Sequence, residues 1–575
     1  MLKNTVKTLA FLLKYAPGEA ITIILITAAS AAASPLTILF TEGLTNAVIG
    51  GSGIVLAALP LLAAMIYAPL CEALNRFVSV KLEKSLSENM AEDILEKFSR
   101  LSYTCYDGRE TYDVISRMGQ SPNERLISAF LSIQDCGAAI ISLSGNILVL
   151  LRLDPLAALS CAVMLIPLMF FNFRSYKVVD KLYDEQIEDE RKMNYITYDL
   201  LSQKDAACEL KIFRAADYIL KKWHNCQDRV LRLRTAAHLK SSKYLVLGDL
   251  VFLGWTAWLM AILVDRTLMG TVTVGLCTSL VIAVRQILGQ VSGFCRSLSG
   301  LNRPLIFIDY FYRFMRLPES VSALPPRSFY ELRLENVSFT YPGTDTEVLK
   351  NVDLTLRSDQ RTALVGENGC GKSTIVKLLC GLYEPTGGRI TVDGKEICAG
   401  ARMKLFGAVF QDFGSYYLTL RENVAFGNME KLANDEAITS ALNRADFHKN
   451  IDLDQNLGRI DDDGADLSGG EWQRLSLARG YISKRICLIL DEPTAALDPM
   501  AESRIYESFL SMTKNRGSLI ISHRLAGARP ADKIVVLSGG AVAEQGSHDT
   551  LLAKGGLYKK MWEAQKGWYD DYTEI

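Results

Sequence analysis

Residues 366–374 read GENGCGKST, which fits the spacing GxxxxGK[ST]. Glycines at that spacing let successive backbone N–H groups converge on an anion, and a helix starting at the loop's end adds its partial positive charge. An apolar strand (TALV) precedes the loop and an apolar helix (IVKLL) follows it, the context a phosphate cradle requires. The expected cradle is Gly366, Glu367, Asn368, Gly369, Cys370, Gly371, Lys372, Ser373 and Thr374. Lys372 would reach the β- and γ-phosphates, and the Ser373 hydroxyl would ligate Mg²⁺. Further along, CLILDEPT ends an apolar run in two carboxylates. Acids at the C-terminal tip of a buried strand lie where α/β folds bind ligands. Asp491 is expected to orient Mg²⁺, and Glu492 to polarise an attacking water.

Between these motifs stands LSGGEWQR, Leu467 to Arg474. Ser468, Gly469 and Gly470 open a helix with apolar periodicity, so its exposed N–H groups form a second anion site. Here the chain resembles the ABC transporter family, whose signature this is. The resemblance implies ATP as the nucleotide. It also implies that the signature contacts the γ-phosphate held by an opposite subunit, so that two ATP-binding domains face head to tail. Further family elements follow in order. Tyr341, in VSFTYPG, fits the aromatic that stacks on adenine. Gln411, in AVFQDF, fits the glutamine that reaches Mg²⁺ and the attacking water. Asp498, ending AALD, fits the loop crossing the dimer interface, and His523, in IISHRL, the switch histidine.

Two departures stand out. Cys370 fills a loop position often held by serine in that family, and a thiol beside the phosphates predicts inactivation by maleimides with protection by ATP. The run IDDDGAD before the signature is more acidic than the family's usual pattern. The signature and Glu492 are intact, so nothing in the motifs demands a different partner chain.

These motifs need a scaffold. The 575 residues exceed one compact domain, and 49% are hydrophobic while 22% are charged. Mean hydropathy is +0.13. That mixture fits one very apolar part joined to an ordinary one. The net charge of −1 gives no footprint for nucleic acid. The 12 cysteines form no CxxC pair and no zinc-like cluster, which reads as reduced, mostly buried thiols.

Six segments approach the roughly 20 apolar residues a spanning helix needs. They lie near 21–40, 54–74, 126–151, 155–171, 244–264 and 271–288. The 41–53 loop has no Lys or Arg, whereas 77–125 and 173–243 are long and rich in both. Positive residues favour the cytoplasmic side, so the long stretches, the N-terminus and the C-terminal part face inward. Both long stretches have helical periodicity, which predicts spanning helices that continue into the cytoplasm. Within them, CYDGRETYDVISRM and LLSQKDAACELKIF are similar to the two coupling regions of that family. Asp249 lies among apolar residues and reads equally as a cavity residue or a charge that water reaches.

At 316–330, prolines replace apolar runs, and short β-like runs follow. The expected architecture is an all-α polytopic membrane domain (1–315), a linker (316–330) and an α/β P-loop ATPase domain (331–575). The resemblance implies a half-size exporter working as a dimer in a lipid bilayer, with a second half-transporter identical or different. It implies ATP-driven export by alternating access. Six apolar segments exclude a soluble ABC ATPase, and an importer would have separate chains. A lipid flippase, an ATP-gated channel and an ATP-using sensor are the other readings. Short loops and no organellar targeting signal point to a bacterial cytoplasmic membrane. LSGGEW followed by a basic residue resembles exporters of modified antimicrobial peptides, while lipids and hydrophobic drugs remain open cargoes. With no peptidase domain ahead of the first span, cargo cleavage by this chain is not expected.

Overall fold

The computed structural model describes residues 2–570 except 119–121, 271, 301, 322, 460–461, 493–506, 508, 511–512, 514–515 and 523–524. The chain divides into two compact units. One comprises Met1–Phe98 and Val114–Arg316, the other Ser99–Asp113 and Leu317–Ile575.

The first unit is helical. Its elements are α1 (Leu2–Tyr15), α2 (Pro17–Ala31), α3 (Ala33–Gly50), α4 (Ile54–Arg100), α5 (Arg109–Met118), α6 (Pro122–Leu153), α7 (Pro155–Asn194), α8 (Lys204–Ile212), α9 (Ala216–Leu268), α10 (Val274–Gly300) and α11 (Asn302–Met315). α4 and α5 run partly into the second unit. Six stretches of helix are long and apolar enough to cross a membrane: Pro17–Gly50, Ile54–Arg100, Phe130–Leu153, Pro155–Leu201, Ala216–Leu268 and Val274–Leu298. α4, α7 and α9 have 47, 40 and 53 residues. At about 1.5 Å per residue each is roughly twice the ~30 Å hydrocarbon thickness, so one end projects beyond it.

The first span breaks at Ala32, between α2 and α3. The cause is Pro35, which has no N–H to give the Ala31 carbonyl. The Ser142 hydroxyl of α6 donates to that carbonyl instead, at 2.9 Å. In hydrocarbon such a replacement is close to obligatory. Nearby, Ser34, Asn146, Gln286 and Gln290 bond to one another across α3, α6 and α10 at 2.7–3.2 Å. Asp249 is exposed on α9.

The second unit has two sheets. Its strands are β1 (Glu331–Thr340), β2 (Glu347–Arg357), β3 (Arg361–Gly366), β4 (Gly387–Val392), β5 (Lys395–Glu396), β6 (Phe406–Val409), β7 (Cys487–Asp491), β8 (Ser518–Ile521), β9 (Lys533–Ser538) and β10 (Ala541–Gly546). The antiparallel sheet has the order β2-β1-β4-β5; the other has β10-β9-β3-β8-β7-β6 and is parallel except at β10. Its helices include α12 (Lys372–Leu379), α13 (Ala399–Arg402), α14 (Leu420–Ala425), α15 (Asp435–Arg444) and α16 (Gly469–Ile482).

Parallel strands are buried on both faces, and β3 shows it. Leu364 faces a core shared with α12 and the antiparallel sheet, while Ala363 and Val365 face a second core with Leu525 and Tyr558. In β1 a register shift between Leu334 and Val337, with Asn336 at φ 55°, changes the phase of alternation. That bulge lets Leu332 and Leu334 share one core with Val337 and Phe339.

Residues 99–113 fold with this unit although they lie between spans in sequence. Leu101 pairs with Glu319, the Ser102 N–H donates to the Pro318 carbonyl at 3.0 Å, and the Ser320 N–H donates to the Arg100 carbonyl at 2.8 Å. Deep in the unit, the Arg402 guanidinium donates to the carbonyls of Leu378, Ile397 and Tyr383 and to the Glu384 carboxylate, at 2.6–3.0 Å. Arg402→Met should leave those carbonyls unpaired and cost about 2–3 kcal/mol. A lower thermal midpoint for this unit, read by calorimetry on the whole chain, is the expected outcome.

Candidate functional site

β3 ends at Gly366 and α12 begins at Lys372, so the loop between them spans strand tip and helix N-terminus. Gly369 and Gly371 have φ of 77° and 104°, left-handed values that side chains resist. A Cβ at Gly371 would also strike Leu349. The Lys372 ammonium is held over the loop by the carbonyls of Gly366 and Glu367, at 3.0 and 2.9 Å.

A cavity of about 380 Å³ opens here, lined by Val348, Asn368, Gly369, Gly371, Lys372, Ser373, Thr374, Gln411 and Glu492. Loop, glutamine and glutamate thus meet at one place. A larger cleft of about 640 Å³ shares Ser373 and Gln411 with it and adds Tyr103, Lys377, Arg479 and Asp491.

Asp491 ends the fully buried strand β7. Burial pushes its carboxyl up to about 6, although a hydrogen bond from Ser373 and the charges of Lys372 and Lys377 oppose the shift. Its Oδ1 is buried without a hydrogen-bond partner among the described residues. Glu492, the next residue, has φ 50° and donates its N–H to the Ile521 carbonyl at 3.1 Å. A non-glycine residue in that region stores on the order of 1 kcal/mol or more, the kind of strain that gathers at functional sites. The turn aims the second carboxylate into the smaller cavity while the first stays at the strand end.

Tyr341 is half-buried. Its hydroxyl lies 3.0 Å from Thr374 Oγ1, its ring meets Phe339 and Tyr383 edge-on, and the Lys377 ammonium lies 5.5 Å over it. Ser468 caps α16: its hydroxyl accepts from the Glu471 N–H, and its own N–H donates to the Glu471 carboxylate. Ser468 and Gly469 are exposed, so the helix N-terminus faces outward. Among the described residues the signature does not line the cavity at the phosphate loop of its own chain. Asp498 and His523 lie outside the described residues.

Cys370 departs from expectation. It is buried in the core beneath the loop, with its thiol toward Gly366, and burial pushes that thiol up despite neighbouring Lys372. Ready alkylation is therefore not what the geometry favours. Sequence reading also passed over Val348, which lines the cavity, and Lys377, whose charge acts on Asp491. Lys377 follows Ser373 by four residues, one helical turn, and that spacing was the available signal.

The family profile described as ABC transporter matches residues 349–495. The subtilin transport ATP-binding protein SpaT of Bacillus subtilis is 29% identical over 87% of this chain and 83% of its own length. The nisin transport ATP-binding protein NisT of Lactococcus lactis subsp. lactis is 28% identical over 94% and 92%. A solved structure of a bacterial Atm1-family ABC exporter with ATP bound superposes with a TM-score of 0.74 at 24% identity, covering 96% of this chain and 98% of that one. Residues 349–495 belong to the ABC transporter family. The chain that carries them is a half-size exporter: an integral membrane protein with an ATP-hydrolysing unit on the same polypeptide.

Two outcomes follow. Brief maleimide treatment should label exposed Cys208 and Cys398 at least about tenfold faster than Cys370, as peptide mass spectrometry would read. Asp491→Asn should abolish ATP hydrolysis yet raise the thermal midpoint of the nucleotide-free protein. A raised carboxyl costs stability wherever the unfolded chain would ionise it, so the gain should be absent below 3.8, grow through about 6 and then level off.

Proposed function

We propose that two copies of the ATPase unit close on two ATP molecules, each held between one phosphate loop and the other chain's signature. The observation that carries this reading is the outward-facing N-terminus of α16, capped by Ser468, away from its own chain's cavity. A helix N-terminus with exposed N–H groups suits an anion brought by another subunit.

In this reading Lys372 exchanges the loop carbonyls for β- and γ-phosphate oxygens, and Tyr341 offers its ring to the adenine. Mg²⁺ would be held by Ser373, Asp491 and Gln411. The residues fit: Asp491 presents an unpartnered buried oxygen beside the Ser373 hydroxyl. Mg²⁺ typically takes one or two carboxylates together with other oxygens, phosphates and waters, and it would neutralise developing charge there. Glu492 accepts hydrogen bonding from the attacking water and orients it along the line to the γ-phosphate. Gln411 borders both cavities, so the same side chain touches the nucleotide site and the cleft beside it. His523 and Asp498 complete the site as switch and interface residues. ATP binds the closed arrangement better than the open one, and closure shifts the membrane helices from inward- to outward-facing access.

Apolar surfaces on the single chain favour a dimer. Ile212 and Phe213 at the end of α8 are exposed, as are Tyr416 and Phe426 beside the larger cleft. We take 1–315 as the membrane part, apart from the 99–113 stretch that folds with the other unit, 316–330 as the linker and 331–575 as the nucleotide-binding part, in a bacterial cytoplasmic membrane. The relatives named for subtilin and nisin transport favour a peptide cargo over a lipid or drug.

Glu492→Gln tests the site. The purified chain in lipid nanodiscs should hydrolyse ATP as a dimer by mass. The variant should lose about a hundredfold or more of that rate and retain ATP in a closed dimer. Full turnover by the variant would defeat the assignment, and an inactive monomeric wild type would point to a different partner chain.

A further inference from the structure

The last described helix, Leu557–Asp570, is tied down along its length. The Glu544 carboxylate on β10 accepts from the N–H groups of Leu557 and Tyr558 at 2.7 and 3.2 Å, which caps its first turn. Tyr558 is wholly buried in the core beneath β3, with Ala363, Val365 and Leu525. Its hydroxyl lies 2.8 Å from His548 Nδ1, and the Trp562 ring packs on the His548 ring at 4.6 Å. Burial pushes the Tyr558 hydroxyl up to about 12 and lowers the His548 imidazole, so neither is charged at neutral pH. Further along the same helix, Gln565 Oε1 accepts from the Leu525 N–H at 2.8 Å, across 40 residues of sequence.

Leu525 is buried and opens a one-turn helix, Leu525–Ala528. A first-turn N–H has no partner within its own helix, and the usual remedy is a Ser, Thr, Asp or Asn just before it. Arg524 stands there instead, and an arginine side chain carries no acceptor. Gln565 supplies what the local sequence lacks. The other side of this short connection is held as well. β8 ends at Ile521, which pairs in register with Asp491, and the Ile521 carbonyl accepts from the Glu492 N–H at 3.1 Å. Only Ser522, His523 and Arg524 lie between the two anchors in sequence. One anchor is the turn that aims Glu492; the other is Gln565.

A short connection held at both ends has few backbone paths, and ordering it beforehand spares that entropy at each turnover. Packing alone would not ask for an amide at 565. Gln565 is half-buried beside Leu557, Met561 and Trp562, so an apolar residue there would extend the same cluster. What the amide adds is direction. We propose that Gln565 is a positioning residue for ATP hydrolysis: by holding the Leu525 N–H it fixes the C-terminal anchor of the 522–524 connection, and so sets where His523 meets the γ-phosphate. The proposal rests on the reading of His523 as the switch residue.

The test uses the whole chain in lipid nanodiscs. KM and kcat for ATP hydrolysis are measured for Gln565→Leu, Gln565→Glu, His523→Ala and the double variant of His523→Ala with Gln565→Leu. Gln565→Leu loses the acceptor and keeps an apolar fit. Its kcat should fall about tenfold with KM for ATP within about twofold of wild type, because the phosphate loop and Tyr341 are untouched. Gln565→Glu, whose carboxylate still accepts, should return kcat to within about twofold of wild type. On top of His523→Ala, Gln565→Leu should lower the residual rate by less than about twofold, since the two residues act as a unit. Hydrogen exchange of the peptide covering 518–530 gives a second reading: it should quicken about tenfold in Gln565→Leu and stay slow in Gln565→Glu. Full turnover by Gln565→Leu overturns the proposal. So does a loss of about tenfold that persists on top of His523→Ala, or about a tenfold rise in KM; the first would make the effect one of general folding, the second one of nucleotide binding. Failure of Gln565→Glu to restore kcat also overturns it. Full turnover by His523→Ala would remove His523 from the site, a failure of the reading beneath; an inactive His523→Ala beside a fully active Gln565→Leu removes the link alone.

Discussion

The nucleotide cavity of the ATPase unit is built around the cost of keeping Asp491 charged where water is scarce. A carboxylate at the tip of a fully buried strand needs a hydroxyl and cations within reach. Ser373, Lys372 and Lys377 supply them, and all three stand on α12. That helix is therefore held beside the tip of β7, next to the phosphate loop. The loop can turn there because glycine occupies its left-handed positions. The core beneath, from Leu364 to Leu537, holds strand and helix at that spacing. A binding site is thus specified by a local electrostatic deficit that a ligand carrying Mg²⁺ would relieve.

The membrane unit answers a different constraint with similar means. Hydrocarbon offers no hydrogen bonds, so each polar atom must find one in protein. Pro35 frees a carbonyl and Ser142 takes it; Asn146, wholly buried, is met by Ser34 and Gln290. These bonds tie α3, α6 and α10 without any charge. Such neutral bonds are individually modest, about 0.6 kcal/mol each in measured cases, and can be exchanged as helices shift.

What could be read from the sequence is what is local. The phosphate loop shows itself because strand, glycines, lysine and helix fall within twenty-odd residues. The spans show themselves because composition alone decides them. The break at Ala32 is implicit in Pro35, but its partner Ser142 lies a hundred residues away and had no mark of its own. The orientation of the Cys370 thiol depends on how the loop's backbone turns, which residue type does not encode. The bulge at Asn336 changes which face of β1 is buried, and simple alternation misplaces everything on one side of it. The allegiance of residues 99–113 was legible only through the likeness of CYDGRETYDVISRM to a coupling region; their composition is that of a polar interval between spans, and the partners Pro318, Glu319 and Tyr383 had no mark of their own.

That allegiance has a consequence for how the protein is made. Residue 113 leaves the ribosome long before residue 317, and at synthesis rates of about 5–20 residues per second the interval is roughly 10–40 s. During it, Tyr103 and the edge at Leu101 have no partner, while later helices are still being inserted into the membrane. The ATPase unit is therefore not an independent piece that is synthesised, folded and then attached. Its last surface was laid down early, and it closes only when a stretch already committed to the membrane is collected from behind. A chain released before residue 318 would carry that stretch without the partners it pairs with in the finished unit.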